Sequence, residues 1–399
     1  MDLESQLFQP DPYPAYARLR DQAPAVRVDG AGGDIWVITR YEEARAALTD
    51  PRLAKDPTLA PRWMQEIGLF DGDEGPAGRT MLVSDPPDHT RLRKLVARAF
   101  THRRIENLRP RVQRIADDLL DTLPRETDLV AAFAFPLPIT VICELLGVPL
   151  DDRADFQRWT RELLTPPYTP PGAETRRRGA AAMEHYITAL IERLRERLDP
   201  GLAADEQPDL LSALINGGGL NERELLGMAQ LLLVAGHETT VNLIANAVFA
   251  LLRHPGQYAL LRERPELIPS AVEELLRYDG PVERATPRFA LEDVTIGDTT
   301  IPKGSAVQVG LGSAARDPRR FPDADRLDIT RSDNPHLAFG HGIHHCLGAP
   351  LARLEAQVAL ATLLRRFPSI TLACAPEDLS WRAGGPSIIR GLEALPIRT

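Results

Sequence analysis

The 399 residues are 43% hydrophobic and 26% charged, with a formal charge of -9, which is the balance of a globular chain with apolar material for a large core. It excludes intrinsic disorder and argues against a nucleic-acid partner, since such proteins present surplus Lys and Arg to phosphates. Three cysteines, Cys143, Cys346 and Cys374, are too few and too scattered for a disulfide framework.

From the N-terminus, the first thirty residues hold four prolines and no apolar stretch of the length that a signal peptide or anchor needs. The reading is a cytoplasmic protein without a membrane segment. Alternating runs Ala25 to Val28 and Ile35 to Thr39 around a Gly-rich turn predict a hairpin. Pro57 to Val83, rich in Gly, Pro and Met, predicts a long irregular loop of the kind that carries function. Helical periods cover Thr90 to Phe100, Arg104 to Thr122 and Thr175 to Leu198. The clearest helix opens at Asn221, with Glu224 closing a capping box, and runs to His254 before Pro255. Its length is about 50 Å, enough to cross a domain as a buried axis. Helices at Pro265 to Tyr278 and Leu347 to Phe367 follow, with strand signals at Phe289 to Leu311, Ile370 to Leu372 and Leu392 to Ile397. The fold class expected is mainly α with a minor β-sheet region. No linker or repeat divides the chain, so one domain over residues 1–399, acting as a monomer, is expected.

Three constellations carry chemistry. Phe339-Gly340-His341-Gly342-Ile343-His344-His345-Cys346-Leu347-Gly348 leads into a helix. A cysteine at a helix start meets backbone N–H groups and the positive dipole end, which favour the thiolate that binds iron. Its glycines permit tight turns and close approach of a flat ligand. Zinc on His341, His344, His345 and Cys346 is the rival, but successive residues rarely converge on one tetrahedral ion. Cys143 and Cys374 read as small hydrophobes. The second constellation, Ala235-Gly236-His237-Glu238-Thr239-Thr240, interrupts an apolar helix, where buried polar groups need a reason. Thr239 shares a face with Ala235 and can donate to bound oxygen or water, with Glu238 feeding protons. The third is Glu274 and Arg277, three apart on one helix; alone it is a common surface pair of little worth.

In this order and spacing the three motifs resemble the cytochromes P-450, from about Asp11 to the C-terminus. The resemblance implies the P-450 fold, a long central helix over a haem held by a cysteine loop. The cofactor implied is haem b, held non-covalently and ligated through Cys346, with dioxygen as co-substrate. Glu238 and Thr239 match the acid–alcohol pair of the oxygen-activating helix. Glu274, Arg277 and Arg326 match a buried structural triad. The implied cofactor contacts are His89, Arg93, Ala235, Arg288, Phe339, Gly340, His344, Cys346 and Gly348. One departure is Ala315, where soluble bacterial relatives usually carry Asn.

The implied activity is a monooxygenase that hydroxylates or epoxidises a bulky hydrophobic molecule. Similarity is nearest to macrolide- and polyketide-tailoring members, with a terpenoid, steroid or fatty acid as alternatives. The expected pocket is lined by Met64, Ile67, Phe70, Met81, Leu82, Val83, Val234, Ala235, Val282, Ala285, Phe289, Ile388 and Ile389. No flavin or iron–sulfur motif is present, so electrons are expected from a ferredoxin with its reductase, or from a flavodoxin. The run Arg91, Arg93, Lys94, Arg98, Arg103 and Arg104 suits an acidic donor, with Arg93 turned inward. A peroxide-driven enzyme and a haem sensor are the rivals; the Glu238-Thr239 pair and the absence of residues for a signalling domain count against them.

Overall fold

The computed structural model describes residues 11–29, 33–66, 79–167, 169–382 and 388–399. Six helices frame the site: α1 (Asp88–Ala99), α2 (Pro136–Leu146), α3 (Pro170–Arg197), α4 (Glu222–Arg253), α5 (Ile268–Asp279) and α6 (Ala349–Arg366). α4 is the axis. Asn221 accepts from the Glu224 amide at 2.9 Å while Glu224 accepts from the Asn221 amide at 3.0 Å, so both halves of the capping box form. α4 packs against α2, α3, α5 and α6. Its buried residues, among them Met228, Leu233, Val241, Ile244 and Val248, leave almost no polar face, as befits a helix enclosed by others. It is the one described helix long and apolar enough to cross a membrane, but 72% of its most apolar window is buried inside the protein, which accounts for that character.

Two helix boundaries differ from expectation. The stretch from Arg104 to Thr122 is two helices, His102–Asn107 and Arg109–Asp121, with Pro110 in the first turn of the second. Proline lacks the amide that would continue the first helix and suits the start of the next. α3 starts at Pro170, earlier than periodicity implied, because Thr169 Oγ1 accepts from the Gly172 amide at 3.2 Å. α2 escaped the sequence reading because it is buried along nearly its whole length and has no polar face to set a period.

The main sheet has β1 (Ala25–Asp29), β2 (Asp34–Ile38), β3 (Leu53–Ala54), β4 (Arg288–Ala290) and β5 (Ala306–Val309) in the order β1-β2-β5-β4-β3. β2 and β5 pair in parallel, Ile35 opposite Ala306; the remaining pairs are antiparallel. The expected hairpin is therefore the outer part of a larger sheet. Its opposite edge carries Arg288 on β4 and delivers Lys55 immediately after β3. At the C-terminus, bridges from Val282 to Ile389 and from Trp381 to Leu392 fold the tail back onto the helical body.

Candidate active site

The cavity between α4, the start of α6 and the β3–β4 edge holds about 1530 Å³ counting its mouth. Cys346 lines it from the loop before α6. The Cys346 amide donates to Phe339 O at 2.9 Å, closing the loop. Gly340 and Gly342 turn it with φ of 71° and 73°, and a Cβ on Gly342 would sit 2.7 Å from Thr49 Cγ2, so larger side chains are excluded there. Cys346 is exposed to the cavity it lines, yet desolvation by the surrounding protein pushes its thiol above the ordinary range, against the pull of the Gly348 and Ala349 backbone and of Arg93 and Arg353. The donors expected at a helix start are present, but desolvation outweighs them. A bound metal ion removes that obstacle, because a coordinating thiol is deprotonated outright.

Another wall is the middle of α4: Ala235, Gly236, Thr239 and Thr240 line the cavity. Thr239 Oγ1 donates to Ala235 O at 3.0 Å. Glu238, one residue earlier, points about 100° away around the helix and does not line the cavity. It is buried, its carboxylate pairs with Arg382 of the tail, and its carbonyl accepts from Asn242 Nδ2 at 2.7 Å. Gly391 allows this approach: a Cβ there would meet Asn242 Oδ1 at 1.7 Å. His237 faces the core, with Nδ1 2.7 Å from Leu233 O, and burial lowers its basicity.

The third wall is cationic. Arg93, Arg288, His344 and Lys55 line the cavity. Buried His89 stands behind His344, ring centroids 4.3 Å apart. Arg93 donates to His345 O at 2.6 Å, and Arg288 to Leu53 O and Leu48 O, each at 3.1 Å. Both His89 ring nitrogens, His344 Nε2 and Arg288 Nε are buried without partners in the protein. Burial, reinforced by the neighbouring cations, pushes His344 down to about 2, and burial pushes Arg288 down to about 10. An unpaired donor set of this kind asks for an anion.

The family model for cytochrome P-450 matches residues 24–372. The chain belongs to the cytochrome P-450 family. PikC, a P-450 monooxygenase of Streptomyces venezuelae, is 51% identical over 98% of this chain and 92% of its own. The myxobacterial P-450 CYP267B1, solved in complex with myristic acid, superposes with a TM-score of 0.91 at 44% identity, covering 98% of each chain. The P-450 PksS of the Bacillus subtilis bacillaene polyketide synthase does so at 0.88 and 40% identity, covering 100% of this chain and 99% of its own. The protein is thus a P-450 monooxygenase with the P-450 fold. P-450s carry a haem-thiolate iron, depend on a redox partner and take hydrophobic substrates. The residues here fit the haem: a cysteine beside a tight loop, a broad apolar cavity, and unpaired cations for two carboxylates.

Arg93, Ala235, Arg288, Phe339, Gly340, His344, Cys346 and Gly348 all line the P-450 cavity, with His89 directly behind. Of the expected substrate wall, Met81, Leu82, Ala235, Val282, Ala285 and Ile388 line it; Val83, Val234 and Ile389 do not. Ile67 and Phe70 lie outside the described residues. Met64 and Phe289 require correction. They pack with Ala60 and Ala306 into the face of the main sheet, because Phe289 follows Arg288 on β4 and so points to the opposite face.

The ion-pair triad is corrected too. Glu274 and Arg277 are fully buried, with Arg277 Nε 2.8 Å from Glu274, so the pair is no ordinary surface bridge. Its third member is Arg331, 3.2 Å from Glu274; Arg326 is exposed and contributes only its carbonyl, which accepts from Arg277 at 3.0 Å. Arg277 also donates to Ala315 O and Ala324 O, pinning the segment that leads to the cysteine loop. Ala315 therefore serves through its backbone. Sequence reasoning missed Lys55, Arg331 and Arg382, each an isolated cation outside any motif.

Proposed function

We propose that Cys346 ligates the iron of haem b and that Thr239 and Glu238 deliver protons during hydroxylation or epoxidation of a bulky hydrophobic substrate. The observation that carries this is the convergence on one cavity of the Cys346 thiol, the Thr239 hydroxyl and the cations Arg93, buried Lys55 and buried Arg288, with buried ring and guanidinium nitrogens of His89, His344 and Arg288 left without partners. When bound, thiolate-ligated haem supplies dioxygen activation and transfer of one oxygen atom. Arg93, Arg288, His344 and, through its ring, His89 anchor and orient the carboxylate edge. The Thr239 hydroxyl keeps a proton on the cavity wall, parked on Ala235 O. Glu238, held by Arg382 behind the same turn, resupplies it through water. The apolar walls around Leu231, Leu243 and Ile388 exclude bulk water from the reacting atoms.

The substrate class we infer is a polyketide, supported by the likeness to the polyketide-synthase P-450 PksS. A fatty acid is the second reading, favoured by the myristic-acid complex of CYP267B1. Electrons come from a ferredoxin with its reductase, or from a flavodoxin. Lys94, Arg98 and Arg103 are exposed to meet an acidic donor. Arg91 is tied to Glu224, Arg104 to Gln207 O, and Arg93 lines the cavity, so the docking patch is smaller than the sequence run.

The test is the absorption spectrum of the dithionite-reduced protein with carbon monoxide. A thiolate-ligated haem moves the main band to much longer wavelength, and Cys346→Ser is expected to abolish that shift; its persistence in the serine variant would sink the assignment. Thr239→Ala is expected to keep the band while diverting reducing equivalents from product to peroxide or water. Full coupling in that variant would remove Thr239 from the proton path.

A further inference from the structure

We propose that Lys55 is a third cationic anchor for the haem carboxylates, alongside Arg93 and Arg288. This rests on the haem reading of the cavity. Lys55 follows β3, is only 3% exposed, and lines the same cavity as Arg93, Arg288, His344 and Cys346. Its ammonium donates to neutral oxygens alone: Thr286 O and Pro287 O, each at 3.2 Å, and Thr286 Oγ1. Asp85, which interacts electrostatically with both Lys55 and Arg288, already accepts from the backbone amides of Lys55 at 2.8 Å and Asp56 at 3.1 Å.

The geometry therefore gathers three side-chain cations at one wall. Among the described residues, none of Lys55, Arg93 and Arg288 makes an ion pair with a carboxylate, whereas the buried guanidiniums of Arg277 and Arg390 both do. Buried charge without a counter-ion either neutralises or meets an anion. The protein by itself pushes these groups toward losing charge: burial first, then Arg288, holds Lys55 well below the usual lysine range. Two propionates reverse that pressure and give Lys55 the acceptor that its neutral partners do not supply. A positive charge held beside the propionates favours the reduced, more electron-rich haem, so losing the charge of Lys55 lowers the midpoint potential.

A carboxylate could also come from an acidic substrate, so the experiment separates the two sources. Haem loss from the purified holoenzyme to excess apomyoglobin is measured for the parent protein, Lys55→Gln and Lys55→Arg. Lys55→Gln keeps a donor for Thr286 and drops the charge; Lys55→Met is the second neutral variant if it folds poorly. A charge-assisted hydrogen bond implies about tenfold or more faster loss in the neutral variants, near-parent loss in Lys55→Arg, and a more negative midpoint potential in the neutral variants. With haem whose two propionates are esterified, parent and neutral variants should lose it equally fast. Equal loss with ordinary haem, or a difference that survives esterification, overturns the proposal. So does weaker binding of myristic acid, relative to its methyl ester, with haem loss unchanged, which would assign Lys55 to the substrate. A reduced, carbon-monoxide-treated parent protein with no thiolate-type band would instead defeat the haem reading beneath it.

Discussion

Two buried charge clusters in this P-450 have opposite accounts. Around Glu274 the carboxylate accepts from Arg277, Arg331, Asn334 and the Asp328 amide, while Arg277 turns its remaining donors to three carbonyls. Around Arg288 the cations touch carbonyls and a hydroxyl but no carboxylate, and ring nitrogens are left without partners. A satisfied cluster has finished its work on folding and serves as a brace. An unsatisfied cluster of like charge is a site awaiting a ligand of opposite sign.

The comparison breaks most visibly if the brace is tolerant. Arg277→Ala takes the two-pronged partner from fully buried Glu274, leaving it Arg331 alone among the cations, and strips the donors from three carbonyls; it should cost about 3–5 kcal/mol, measured by denaturant unfolding of the holoenzyme, and a loss under 1 kcal/mol would deny the brace its role. Next comes the pair behind the cavity. Arg382→Met strips a charged partner from buried Glu238 and should cost about 1.5–3 kcal/mol, with lower product yield per electron; a fall in stability with coupling untouched would detach Arg382 from proton delivery.

A smaller effect sharpens the contrast through pH. His344 drops from 6.5 to about 2 in the folded, haem-free protein, so between those values the unfolded chain binds a proton that the folded chain refuses. Stability of the haem-free protein therefore rises with pH across that window and is lost as pH falls from 6.5 toward 2. Carboxylates at the site ease protonation, so holoenzyme should lose less over the same range. Parallel curves for the two forms would mean that no anion sits beside His344. The smallest effect is expected at exposed Arg326: it meets the brace through its carbonyl, and its side chain acts only electrostatically on Asp328, so Arg326→Ala should stay within about 0.5 kcal/mol of the parent, and a larger change would restore the sequence-based triad.

How much was legible depended on range. The capped central helix, the hairpin and the cysteine loop were readable because caps, alternation and glycine turns act between neighbours. The split at Pro110 and the helix Pro136–Leu146 were not, the first through a local breaker overlooked in a periodic run, the second through burial that erases the period. Of the residues picked out by motif, Cys346, Thr239, His344 and Arg288 line the cavity, while Glu238 lies behind it. Met64 and Phe289 were misassigned because an apolar side chain near a pocket in sequence has two faces to choose from, and the pleat of β4 chose the core.

The sequence by itself determined the fold class and the two motifs that line the cavity, Cys346 in its glycine loop and Thr239 in the interrupted apolar helix, since each is written in short-range spacing. Only the tertiary structure decided that Arg331, not Arg326, completes the brace, that Arg382 reaches back to Glu238, and that Lys55 joins the cations at the cavity wall. Charges pair through space, and what a lone Lys or Arg meets is set by which strands and helices bring oxygens to it.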